Sequence, residues 1–187
     1  MPTITGMTAA PIGRFEQAWP ALDREDLVAP PVVAALRGFA GADQVLVVDT
    51  DPDNADTAVF GEVYGVPPEL SANCVVVAGR RGETTTMAAC VILASTRADV
   101  NGVVRKRLNA RKASFAPMDA AVSETGMEYG GITPIGLPAG WPLWIDAAVA
   151  DSAWVVIGSG RRRGKILIAG KVLAQIAGAE VVPDLAN

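Results

Sequence analysis

The chain has 187 residues, of which half are hydrophobic and 19% charged, with a net charge of -4, two cysteines and no histidine. That size and composition fit one globular domain with a buried core and exclude the disordered and disulfide-stapled classes. The missing imidazole removes Ser-His and Cys-His catalysis and His-ligated metal centres.

Along the chain, residues 1–13 contain Pro2, Gly6, Pro11 and Gly13 and show no sustained period, so they read as a flexible leader ahead of a single domain over residues 14–187. Pro31 to Gly38 predicts a short helix, with proline in its first turn and glycine past its end, and Gln44 to Val48 predicts a strand. The acidic run from Asp49 to Asp53 is not a calcium loop, because Asn54 stands at the glycine position and Phe60 at that of the bidentate glutamate. Thr57 to Tyr64 predicts a helix capped by Asp56 or Thr57 and closed by Gly65.

Asn73 to Ala78 and Thr84 to Ala94 are rich in β-branched residues and flank Gly79-Arg80-Arg81-Gly82, which predicts a hairpin turning at those four residues and bringing Cys74 near Cys90. With no histidine beside them, the cysteines read as reduced, buried thiols and not as metal ligands. Asp99 to Leu108 predicts a helix with basic residues in its last turn, and Ser114 to Thr125 a strand followed by a helix. Trp144 to Ala147, Trp154 to Ile157 and Lys165 to Ile168 predict short strands, and Gly170 to Ala177 a closing helix. The sum is a mixed α+β fold with helices packed on a mixed sheet. No apolar run is long enough to span a bilayer, and no basic region followed by an apolar stretch opens the chain, so the expected location is cytoplasmic.

Charge is unevenly placed. Residues 1–71 carry 11 acids against 3 basic residues, whereas residues 72–187 carry 9 against 13, and 8 basic residues fall between Arg80 and Lys112. A polyanionic partner fits that second part, although a basic cluster at a helix C-terminus also suits the helix dipole.

Two glycine-rich segments are the candidates for chemistry: Gly126 to Gly136, and Gly158-Ser159-Gly160-Arg161-Arg162-Arg163-Gly164-Lys165. Backbone N–H groups exposed by glycine can bind an anion or stabilise an oxyanion. The second segment is not a phosphate loop, since Ile166 follows Lys165 where Ser or Thr is required, and not a dinucleotide fingerprint, since Arg163 takes the third glycine position.

The run Thr125-Gly126-Met127-Glu128-Tyr129-Gly130-Gly131-Ile132-Thr133-Pro134-Ile135-Gly136 resembles the signature of the YbaK and prolyl-tRNA-editing family of aminoacyl-tRNA deacylases. Val155 to Arg162 resembles that family's second glycine-containing strand end, and Thr57-Ala58 with Gly65-Val66-Pro67 resembles its first helix and turn. The resemblance implies a curved, mixed, partly barrel-like sheet with flanking helices. It also implies hydrolysis of the ester at the 3′ end of a mischarged tRNA, without cofactor or metal, by a protein acting alone or beside an aminoacyl-tRNA synthetase.

Carried over residue by residue, the resemblance places Gly130, Gly131 and Asn73 at the reacting centre. Ile132, Thr133, Pro134, Gly158, Ser159, Gly160, Arg161 and Arg162 then contact substrate. At Asn73 the sequence departs from the family, which usually has a lysine that holds the tRNA 3′ end. The resemblance therefore implies either a deacylase in which Arg161 or Arg162 substitutes for that charge, or a binding module that has lost hydrolysis. An esterase for small molecules is the third reading. On the first two readings Asn73→Lys is expected to strengthen 3′-end binding about tenfold, the usual gap between charged and neutral hydrogen bonds.

Overall fold

A computed structural model describes residues 6–187. In chain order it forms β1 (Trp19–Pro20), α1 (Pro30–Arg37), β2 (Leu46–Val48), α2 (Thr57–Tyr64), β3 (Ala72–Arg81) and β4 (Thr84–Leu93). There follow α3 (Arg105–Arg107), β5 (Lys112–Phe115), α4 (Met118–Thr125), β6 (Leu143–Asp146), α5 (Ala147–Ala150), β7 (Val155–Gly158), β8 (Lys165–Ile168), α6 (Gly170–Leu173) and β9 (Ala179–Val182).

The strands form two sheets, one ordered β1-β2-β8-β7 and wholly antiparallel, the other ordered β5-β3-β4-β6-β9 with parallel β4/β6 and β6/β9 pairs. A parallel bridge between Ser71 and Val156 joins them. The fold is therefore mixed α+β, as the residues imply, but its sheets do not close into a barrel.

Strand alternation sorts the core into three layers. Val47, Ile145, Val155, Ile157, Ile166 and Ile168 pack with α1 between the sheets. Leu46, Val48, Val156 and Leu167 face the other way, onto Phe60 and Tyr64 of α2. Val77, Ala88, Cys90, Ile92 and Trp144 form the outer layer of the five-stranded sheet, under Val104 and Leu185.

Several boundaries differ from the sequence reading. The hairpin turns at Gly82-Glu83, because Gly79 and Arg80 continue the ladder opposite Thr86 and Thr85, and only Gly82 takes a left-handed φ, of +61°. Asp99 caps the next helix through bonds to the N–H groups of Gly102 and Val103, but its first turns are π-helical over Val100–Val104. The last helix is short, four residues, and is followed by β9, whose exposed Glu180 and Val181 gave no strand pattern.

Residues 6–13, expected as a leader, make contacts with the domain. Thr8 pairs with Ala18, and the apolar Ala10 and Ile12 pack beside Phe15 on the α2 layer. Residues 1–5 lie outside the described region. No helix among the described residues is long and apolar enough to cross a membrane.

Candidate functional site

The two glycine-rich segments meet. Glu128 N–H donates to Gly160 O (2.9 Å), Gly160 N–H donates to Gly131 O (2.7 Å), and Arg162 N–H donates to Glu128 Oε2 (2.7 Å). Such an approach needs glycine, since a Cβ at Gly131 would stand 2.5 Å from the carbonyl oxygen of Arg161. A Cβ at Gly158 would likewise collide with the carbonyl oxygens of Gly131 and Ile132. Sequence alone shows two separate loops; long-range pairing makes them one structure.

Beside this junction lies a cavity of about 330 Å³, whose lining includes Asp56, Thr57, Asn73, Gly130, Ile132, Gly158 and Lys165. Exposed Met118 and Tyr129 also border it. Of the residues expected at the site, Asn73, Gly130, Ile132 and Gly158 thus come together.

The others have different surroundings. Gly131 does not line the cavity, and its N–H donates to Glu128 O (3.0 Å), so it does not present an oxyanion donor. By contrast Gly130 and Ile132 donate their N–H groups to no acceptor among the described residues. Thr133 is fully buried behind the loop, and Pro134 is not part of the wall. Ser159, also fully buried, closes its own turn by donating to Gly164 O, and Gly160 packs against Ala29.

The arginines are engaged elsewhere. Arg161 Nε donates to Val28 O (3.1 Å), and Arg162 donates to Tyr129 O (3.3 Å) and Pro52 O (3.1 Å). Neither lines the cavity, although the Arg162 guanidinium sits over the Tyr129 ring at its edge. They staple loops together, and their expected substitution for the family's cation finds no geometric support.

The cation within the cavity is one that sequence reasoning passed over. Lys165 opens β8 between β2 and β7, opposite Val48 on one side and Gly158 on the other, and only 7% of it is exposed. Gly158 has no side chain to compete for space. The Lys165 ammonium donates weakly to Ala55 O and Gly130 O, both at 3.4 Å, and lies 5.5 Å from the centre of the Phe60 ring. Phe60 is itself held by stacking on Phe15 and by a tilted contact with Tyr64. Burial pulls the Lys165 pKa down to about 8, helped by the Arg162 charge and opposed by Asp56. Asn73, also in the lining, accepts at Oδ1 a hydrogen bond from Thr57 Oγ1 (3.1 Å), which leaves the amide nitrogen for a ligand.

The cysteines do not face one another. Cys74 pairs with Val91 and Val75 with Cys90, so the two side chains emerge on opposite faces of adjacent strands. Burial pushes the Cys74 thiol well up and the Cys90 thiol up to about 12. Neither is primed as a nucleophile. The double variant Cys74→Ala, Cys90→Val is expected to keep any hydrolytic activity within a few-fold, measured at matched folded concentration; a collapse in folded protein would point to thiol chemistry.

A second feature lies on the five-stranded sheet. Arg80, Arg105, Arg111 and Lys112 surround a groove with Thr85, Asn101 and Ser114. None of these four cations is in an ion pair among the described residues.

Comparison with known proteins accounts for this architecture. The sequence profile of the aminoacyl-tRNA editing domain matches residues 51–176, about two thirds of the chain. The chain belongs to the aminoacyl-tRNA editing domain family. Among solved structures it is similar to one described as a "putative trans-editing enzyme for prolyl tRNA synthetase", with a TM-score of 0.67 and 18% identity over 83% of this chain and 97% of that one. A scaffold protein used for computational epitope grafting gives 0.70 and 21%, covering 83% and 95%. A protein described only as hypothetical gives 0.63 and 22%, covering 71% and 85%. At these identities the likeness concerns the fold.

Proposed function

We propose that this editing domain is an aminoacyl-tRNA deacylase acting in trans on the ester of a mischarged tRNA. The observation that carries the reading is the cavity, where unbonded N–H groups of Gly130 and Ile132 share one wall system with the Asn73 amide and a buried ammonium. Donors of this kind suit ester hydrolysis: water adds to the acyl carbon, the carbonyl oxygen becomes an oxyanion, and the bond to the ribose oxygen breaks. The water's hydroxyl stays on the amino acid and its proton ends on the ribose oxygen. Preorganised donors stabilise the oxyanion without reorganising.

Incubating the protein with a panel of labelled aminoacyl-tRNAs and small amino-acid esters tests this reading. Release of amino acid from a mischarged member supports it; tight binding with no release across the panel favours a binding module, and release only from small esters a different hydrolase.

The basic groove supplies a second check. If it meets tRNA phosphates, affinity falls steeply with added salt, because phosphate contacts release counterions. The double reversal Arg111→Glu, Lys112→Glu is expected to weaken all tRNAs by a similar factor, about tenfold or more at low salt, without changing amino-acid preference. Filter binding across a salt series reads this out, and unchanged affinity and slope would remove the groove from the tRNA path.

A further inference from the structure

A buried ammonium normally has a carboxylate beside it, and Lys165 has none within 4 Å among the described residues. Its two protein contacts are neutral carbonyls at the outer limit of hydrogen bonding, and the cavity lies at its side. An ammonium has three donors, so at least one is left for a ligand. Asp56, the carboxylate in the cavity lining, is exposed and makes no ion pair with it.

We infer that the Lys165 ammonium is the charged anchor for an anionic oxygen of the aminoacylated 3′ end, reached from β8, while Asn73, in the same lining, is a neutral donor. The inference rests on the deacylase reading for the identity of the ligand, but its geometry is independent of turnover. Two oxygens qualify: a phosphodiester oxygen of the terminal nucleotide and the oxyanion that develops on the ester carbonyl.

One consequence reverses the expectation drawn from sequence for Asn73. A lysine at position 73 would bring a second ammonium to a small cavity that already holds Lys165, and like charges there oppose one another. Asn73→Lys alone is therefore expected to give no gain. Its benefit should appear only when the Lys165 charge is removed.

The test uses four full-length proteins, the parent, Lys165→Met, Asn73→Lys and the double variant, with melting curves confirming that each is folded. The probes are an acceptor-stem RNA carrying an amide-linked, non-hydrolysable amino acid and, for turnover, the ester that the parent cleaves best. Lys165→Met is expected to lower affinity or turnover at least tenfold, and the double variant to recover to within about threefold of the parent. A rise in KM at constant kcat assigns the ammonium to the phosphodiester; a fall in kcat assigns it to the oxyanion.

A parent that cleaves esters while folded Lys165→Met binds and turns over equally well overturns the inference alone, as does a tenfold gain from Asn73→Lys by itself. A parent that cleaves nothing yet binds the amide probe through Lys165 overturns the deacylase reading and supports the anchor. A parent that neither binds nor cleaves overturns both.

Discussion

Gly131→Val is expected to unfold the protein or to lower its stability by about 3 kcal/mol or more, the upper end of the usual overpacking cost, because the clash is with backbone. The Cβ would meet the backbone carbon and oxygen of Arg161 at 2.7 and 2.5 Å, and neither can rotate away. Relief requires separating the two glycine loops, which breaks the Gly160 N–H to Gly131 O bond and displaces Ser159, whose carbonyl accepts from Ala29 N–H at the start of α1.

Gly130→Ala is the contrast. Its Cβ would press on the Arg162 Nη1 atom at 2.6 Å, the far end of a long side chain that can swing aside by giving up its weak bond to Tyr129 O, and the main remaining cost is its φ of +77°. About 1 to 2 kcal/mol is expected for that left-handed residue. Denaturant titrations of both variants separate the two cases; a Gly131→Val protein as stable as Gly130→Ala would show that the loops are not held at this distance. Neighbouring glycines that look interchangeable in sequence thus do different things. Gly131 permits the loop junction, and Gly130 faces the cavity.

The contrast also marks what the sequence could disclose. Helix limits set by Gly65 and the strand periods of β3 and β4 are local, and they were legible to within a few residues. The glycine segments announced themselves by composition, and Asn73 by its departure from the family. The identity of the cavity wall was not legible, because it depends on which strands lie side by side.

Lys165 illustrates this. Read locally, it is the last letter of a failed phosphate loop or the polar first residue of a strand. Its meaning comes from β8 being central, with β2 and β7 on either side and Gly158 directly across. A usable signal was nevertheless present: lysine directly ahead of the apolar Ile166-Leu167-Ile168 in a strand short enough to be wholly buried. The same limit misled the reading of Arg161 and Arg162, since a basic turn looks solvated until the carbonyls of Val28, Tyr129 and Pro52 are brought to it.

Lys165→Met is expected to stabilise the protein at pH 7 by about 2 to 3 kcal/mol. The lysine is held at a pKa of about 8 against 10.5 in an open chain, mainly by loss of solvent, so its charged form carries a penalty in the fold of about 3 kcal/mol. Methionine fills a similar volume without that penalty. The sign with pH follows from proton counts. Below pH 8 both folded and unfolded lysine are protonated, and the penalty is complete. Between pH 8 and 10.5 the unfolded chain binds more protons, so this residue's contribution makes stability rise with pH until the penalty is gone.

The buried Cys90 thiol, held up to about 12, acts in the opposite sense above pH 9, which is why the parent's curve alone would mislead. Arg162 and Asp56, the charges that act on the ammonium, and Cys74, which shares the cavity wall, are present in both proteins. The quantity to measure is accordingly the difference in unfolding free energy between Lys165→Met and the parent, from denaturant titrations at pH 7 to 10.5. It should be large and positive at pH 7 and shrink through the window. A variant that is less stable than the parent at pH 7, with a difference flat in pH, would mean that the Ala55 and Gly130 carbonyls satisfy the ammonium within the fold. A gain that shrinks as described would identify Lys165 as a charge kept at a cost to stability, the condition expected of a group that awaits an anion.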